Sequence, residues 1–155
     1  SMLGRAEKLY LLMCPGIIDV RALGNLTLLD LSYCVGISDV SALGSITTLR
    51  LSHCSNITDV SALGKVTTLD LSCCDGITDV SALGEVTSLD PACCPGVIDV
   101  SALGGVKMLN LYFCYNITDI SMLDDVPNLI MHELGRPHLS NRRAYNYDGA
   151  TSQVP

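Results

Sequence analysis

The sequence predicts an α/β solenoid, with a parallel sheet along one side and short helical turns along the other, and three observations carry that expectation. A 20-residue pattern, LGKVTTLDLSCCDGITDVSA from Leu63, recurs in phase as LGSITTLRLSHCSNITDVSA from Leu43 and LGNLTLLDLSYCVGISDVSA from Leu23. A looser copy starts at Leu3, further copies start at Leu83 and Leu103, and a partial one, LDDVPNLIM, ends at Met131, giving six full units and a remnant. Apolar residues keep fixed places inside the unit, and turn-forming residues keep others. A unit this short cannot bury its own apolar face, so stacked neighbours must supply the core.

Within the unit aligned on Val66, apolar side chains fall at Val66, Leu69, Leu71, Cys74, Ile77, Val80 and Leu83. The Leu-x-Leu alternation with flanking threonines reads as a short strand. Leu69 and Leu71 then face inward, while Thr68, Asp70 and Ser72 face outward. Two residues past the recurring cysteine stand Gly16, Gly36, Asn56, Gly76, Gly96 and Asn116, where a positive φ is expected. The recurring Asp, followed by Val-Ser-Ala-Leu-Gly, reads as an N-cap, one 3₁₀ turn and a glycine stop.

At 155 residues with 48% hydrophobic content, the chain fits one domain of the globular class, and no apolar run is long enough to span a membrane. The opening Ser1-Met2-Leu3-Gly4 lacks the charged and apolar regions of a signal peptide. The array is expected over residues 1–131, with a polar tail over 132–155 that is disordered or folds over the last turn near Leu134–Leu139. Leu3, Ala6, Leu9 and Leu11 have no preceding turn to cover them, so self-association through uncapped ends is expected.

The net charge of −7 says little about partners, because six of the 16 acids are the single recurring position Asp19, Asp39, Asp59, Asp79, Asp99 and Asp119. With no basic stripe, nucleic acid is not an expected partner. Six of the eight cysteines, Cys14, Cys34, Cys54, Cys74, Cys94 and Cys114, share one repeat position. They read as a ladder of small buried residues rather than a disulfide framework, which favours a reducing, intracellular compartment. A cell-surface or secreted home is the alternative.

Together these residues, LxxVxxLxLxxCxxITDVSxLG, resemble a leucine-rich repeat in which Cys replaces the usual asparagine. The ITDVSxLG half is similar to the short units of bacterial internalin-like proteins. The LDLSxCxxITDVS half resembles trypanosome expression-site-associated leucine-rich repeat proteins. The resemblance implies a curved leucine-rich repeat solenoid, with strands on the concave face and short 3₁₀ or helical turns on the convex side. It also implies recognition of a protein partner on the concave sheet.

Outward positions carry the variation from turn to turn. One column runs Lys8, Leu28, Thr48, Thr68, Ser88, Met108, and the central one runs Tyr10, Asp30, Arg50, Asp70, Asp90, Asn110. The outer one runs Met13, Tyr33, His53, Cys73, Cys93, Phe113. Neighbours in a column are expected about 4.8 Å apart. The candidate binding residues are Tyr10, Asp30, Arg50, Asp70, Asp90, Asn110, Tyr33, His53, Met108, Tyr112 and Phe113. Arg50 is expected between Asp30 and Asp70 as a charged ladder of small energetic value. Tyr112, Phe113, Tyr115 and Met108 are expected to cluster, as a partner anchor or under Leu139 or Tyr145 of the tail.

Other constellations read as weak. Asp70 beside Asp90 gives two carboxylates, fewer than a metal needs. His53 beside Cys73 resembles a base with a nucleophile, but nothing orients it, and Cys73 with Cys93 reads as a chance or redox-sensitive pair. Asn25, Asn56 and Asn116 begin glycosylation sequons, two of them at turn positions. There is no GxGxxG, P-loop, HExxH or CxxC motif, and His132 and His138 show no metal-ligand pattern. The expectation is a non-enzymatic interaction module with no cofactor or metal, an exported surface adhesion or antigen domain being the alternative and a Cys-His enzyme a remote one. Pro91, at an inward strand position, should cost the ladder one inter-turn bond.

Overall fold

In the computed structural model, described over residues 7–131, seven strands form one parallel sheet in chain order. They are β1 Lys8–Tyr10, β2 Leu28–Asp30, β3 Thr48–Arg50, β4 Thr68–Asp70, β5 Ser88–Asp90, β6 Met108–Asn110 and β7 Asn128–Ile130. Every register step is 20 residues: Leu29 pairs with Leu49, Leu49 with Leu69, and Leu69 with Leu89. A fixed step keeps like above like, so each inward leucine rests on its own counterpart in the next turn.

Across from the sheet run the 3₁₀ turns, among them Ser41–Leu43, Ser61–Leu63 and Ser81–Leu83. In each of these three the leucine amide donates to the valine carbonyl three residues back, as Leu43 does to Val40 at 2.9 Å. The recurring Asp caps this turn. Asp39, Asp59, Asp79, Asp99 and Asp119 each accept the amide two residues on at 2.9 Å. The turn formally begins one residue after the Asp, at a valine or isoleucine whose own side chain caps nothing.

The core is one continuous stack. Leu29, Leu31, Leu49, Leu51, Leu69 and Leu71 are at most 1% exposed, and Ile37, Ile57, Ile77, Val40, Val60 and Val80 close it from the other side. Cys34, Cys54, Cys74, Cys94 and Cys114 are buried in the same stack, with Cys14 half-buried at its start. All eight cysteines are free thiols.

Each ladder thiol also makes a hydrogen bond that the sequence did not announce. Cys54 Sγ donates to the Leu31 carbonyl of the preceding turn (3.2 Å), Cys74 to Leu51 (3.0 Å), and Cys94 to Leu71 (3.2 Å). The Leu31, Leu51 and Leu71 carbonyls sit inside the tight turns; Leu31 and Leu51 already accept the amides of Cys34 and Cys54. The cysteine therefore fills core volume and ties one turn to the next. Burial without a nearby cation pushes the thiols up, Cys54 to about 11 and Cys94 to about 12, so they stay protonated as the donor role requires.

The positive-φ positions differ from expectation. They fall at Met13, Tyr33, His53, Cys73, Cys93 and Phe113, with φ between 55 and 64°, and not in the Gly/Asn column. The residue before each ladder cysteine reverses the chain, as Tyr33 does where the Cys34 amide returns to the Leu31 carbonyl (3.0 Å). Glycine two residues later answers crowding instead. A Cβ on Gly76 would lie 2.6 Å from the Ile57 carbonyl oxygen of the turn below. Where asparagine stands there, Asn56 and Asn116, its amide reaches down to the Val35 and Pro95 carbonyls at 2.8 Å. The glycine stops are also close approaches: Gly64 keeps a helical φ of −60°, and a Cβ there would lie 2.3 Å from the Ala82 oxygen.

Pro91 acts as its chemistry dictates. Leu31, Leu51, Leu71 and Leu111 donate their amides to the following turn, whereas proline has none to give. The β5–β6 register stops at Leu89 and Leu109, one pair short of its neighbours. Pairing resumes at once, with the Cys93 amide on the Tyr112 carbonyl at 2.8 Å. The tail beyond Met131, the capping segment Leu134–Leu139, His132, His138, Tyr145, and Leu3 and Ala6 lie outside the described residues.

Candidate protein-binding face

The central outward column does more than meet solvent. Asp30 Oδ1 accepts both the Ser32 amide (3.1 Å) and its hydroxyl (2.6 Å), and Asp70 Oδ1 treats Ser72 the same way (2.9 and 2.7 Å). Asp90 accepts the Ala92 amide and Asn110 accepts that of Tyr112. Each short polar side chain thus fixes the amide where the chain leaves the strand. Asp30 is consequently only 5% exposed, in place of the exposure expected. The sequence signal was the Asp/Asn that fills four of the six places; Tyr10 and Arg50 lack a short acceptor.

Arg50 is exposed, and its Nη1 lies 3.5 Å from Asp30 Oδ2. Among the described residues no ion pair joins it to Asp70, although the strands place the two side by side. The expected three-membered ladder is one pair. Asp90 is flanked by Asp70 and by Asn110, whose Nδ2 donates to Asp90 Oδ2 at 3.1 Å. Burial, with a smaller contribution from the Asp70 charge, pushes the Asp90 carboxyl up.

Along the outer column the rings of Tyr33 and His53 stack, centroids 4.2 Å apart and 10° from parallel. This contact stacks the histidine ring on that of the tyrosine one turn earlier. The Cys73 thiol is pushed up to about 11 by burial and then by the Cys93 thiol, the opposite of what an activated nucleophile requires. Among the described residues, no group of three or more His, Cys, Asp or Glu side chains is arranged to hold a metal.

At the C-terminal end the expected aromatic cluster forms. Tyr112 and Phe113 have centroids 4.1 Å apart, and Phe113 and Tyr115 5.6 Å, both pairs tilted. Met108 and Tyr115 are more than half exposed, as is Tyr10 at the far end of the sheet. The opposite side of the array has an open groove of about 360 Å³ lined by Ile98, Ser101, Met122 and neighbours. The sequon residues divide: Asn56 and Asn116 spend their amide nitrogens on the preceding turn, whereas Asn25 is exposed.

Comparison with known proteins agrees with this architecture. A family model described as Leucine Rich repeat matches residues 65–83, one turn of the array. An internalin, inlF, from Listeria monocytogenes str. 4b F2365 is similar in structure, with a TM-score of 0.60 and 22% identity. The similarity covers 80% of this chain but 40% of that one, so this chain spans less than half its length. Internalin C2 from the same strain aligns at a TM-score of 0.42 and 25% identity, over 75% of this chain and 66% of that one. The functional domain of InlJ from Listeria monocytogenes, whose description includes a cysteine ladder, aligns at 0.25 and 16%, over 74% and 45%. A comparison with the curated proteins finds no match. Seven parallel strands at a constant 20-residue step, 3₁₀ turns opposite them and an aliphatic and thiol interior make this chain a leucine-rich repeat solenoid.

Proposed function

We propose that the chain is a non-catalytic interaction module that binds a protein or peptide through its concave sheet. The observation that carries this reading is the contrast between the two faces of the sheet: the inward columns are nearly invariant, while the outward ones vary along the array. The variation ends in an aromatic cluster, Tyr112, Phe113 and Tyr115 with exposed Met108, of the composition that anchors protein interfaces. Arg50, Asp70, Asp90 and Asn110 supply a polar stripe suited to fixing the register of a bound chain.

The test is affinity capture with Arg50→Glu and Phe113→Ala, beside Met122→Ala on the opposite side. A partner retained by wild type and Met122→Ala and lost from the two concave variants supports the reading. Loss from Met122→Ala alone contradicts it. Exposed Leu12, Met13 and Ile18 on the first turn support self-association at that end, which sedimentation of Ile18→Asp against wild type would test.

A surface or exported adhesion domain is the second reading, favoured by the structural likeness to an internalin. The thiol ladder does not oppose it. Five of its cysteines are shielded and hydrogen-bonded, so their free state requires no reducing compartment. Among the described residues no helix is long and apolar enough to cross a membrane. Glycan on Asn25 in native material would support export, and its absence from material recovered at the cell surface would count against glycosylation there.

A further inference from the structure

The concave face leaves one pair of side chains without a role. Cys73 and Cys93 occupy the same place in successive turns, three residues beyond the paired Asp70 and Asp90. Both are half-buried, both backbones are left-handed (φ 57 and 59°), and the Cys73 amide is tied to the Ala92 carbonyl at 2.8 Å. The two thiols stand near enough that Cys93, after burial, raises the Cys73 thiol.

Equal backbone conformations aim the two Cβ atoms the same way, so they stay about one strand spacing apart, roughly 4.8 Å. A relaxed disulfide brings its Cβ atoms to about 3.8 Å. The stack therefore holds the sulfurs as neighbours yet resists joining them, and an ion placed between them relieves that mismatch. No third ligand joins the pair among the described residues, and the neighbouring His53 is held in its stack on Tyr33. Two sulfur donors exclude zinc, which takes four ligands, and the oxygen-seeking calcium and magnesium. Thiolate donors select soft ions such as monovalent copper.

We propose that Cys73 and Cys93 form a two-sulfur site for a soft thiophilic ion, of which monovalent copper is the representative. On binding, each thiol releases one proton to solvent and each sulfur forms one bond to the metal, with no change of oxidation state. Because thiol protons leave, affinity rises with pH, on the order of tenfold per unit for each proton released.

The experiment is an anaerobic titration of the phosphine-reduced protein with monovalent copper against a coloured copper chelator at pH 6, 7 and 8. Expected is one tight equivalent in wild type, affinity rising with pH, and a loss of at least about tenfold in both Cys73→Ser and Cys93→Ser. Cys14→Ser, at the half-buried start of the ladder, should bind as wild type does. Thermal unfolding of each variant confirms that the array persists. Uptake by the double variant Cys73→Ser/Cys93→Ser equal to that of wild type, or no tight equivalent in wild type, overturns the proposal.

Discussion

Cys73 and Cys74 are neighbours in sequence and opposites in structure, as are Cys93 and Cys94. Cys74 and Cys94 are sealed in the stack, each donating to a carbonyl of the turn before. Cys73 and Cys93 lie on the outer column in a left-handed turn, as neighbours in successive turns. The difference separates two jobs within one 20-residue unit. Inward positions carry the stability and tolerate few residue types, while outward positions carry the variation and cost the fold little.

The sharpest way to break that distinction is Leu69→Ala, which opens a hole between stacked turns and should cost about 2–5 kcal/mol in denaturant unfolding. Cys74→Ala removes both volume and a buried hydrogen bond, for an expected loss of about 1–2 kcal/mol. Cys73→Ala should stay within about 0.5 kcal/mol. Equal damage from the two would mean that inside and outside have been assigned wrongly.

Asp70→Ala, on sequence grounds nearly neutral, is expected instead to lose about 0.5–1.5 kcal/mol, because two bonds from Ser72 go with it. Asp70→Asn, which keeps an acceptor, should recover most of that loss.

Acid provides a finer probe. Hydrogen bonds from the serine two residues on hold the carboxyls of Asp39, Asp59, Asp79 and Asp99 below the ordinary range, and Arg21 holds that of Asp19 at about 2. A carboxyl lowered by folding stabilises fully above its unfolded value, near pH 4, and loses that contribution as pH falls through its folded value. Wild-type Tm should therefore drop between pH 4 and 2, and the deficit of Asp79→Ala seen at pH 7 should shrink over the same interval. Asp90 has the opposite sign: burial raises its carboxyl, so ionisation disfavours the folded state at neutral pH. Asp90→Asn, imitating Asn110 one turn on, should gain about 0.5 kcal/mol or less at pH 7 and nothing at pH 3.

The stack was legible in the sequence because period and burial are the same fact in a solenoid. A residue that recurs every 20 positions must meet its own copy, and Leu69, Cys74 and Asp79 announced themselves that way. Pro91 was equally readable, since a missing amide hydrogen is a property of the residue alone. What the sequence concealed were contacts made by backbone. The left-handed turn falls on Tyr33, His53 and Cys73, whose side chains give no hint of it, while glycine at position 76 answers a carbonyl 2.6 Å from where its Cβ would be. The central column falls side by side on successive strands as the spacing implied, but the bonds that Asp30 and Asp70 accept from their serines were missed. There the Asp-x-Ser spacing was a turn signal that the outward position disguised.

Native-state thiol labelling tests the stacked interior most directly. The protein is treated with a small methylating thiol reagent at pH 8, and each cysteine is followed by peptide mass. Cys73, Cys93 and half-buried Cys14 should label in the folded protein, while Cys34, Cys54, Cys74, Cys94 and Cys114 should react only at the rate of unfolding. Ladder cysteines that label as fast as Cys73 would contradict the stack.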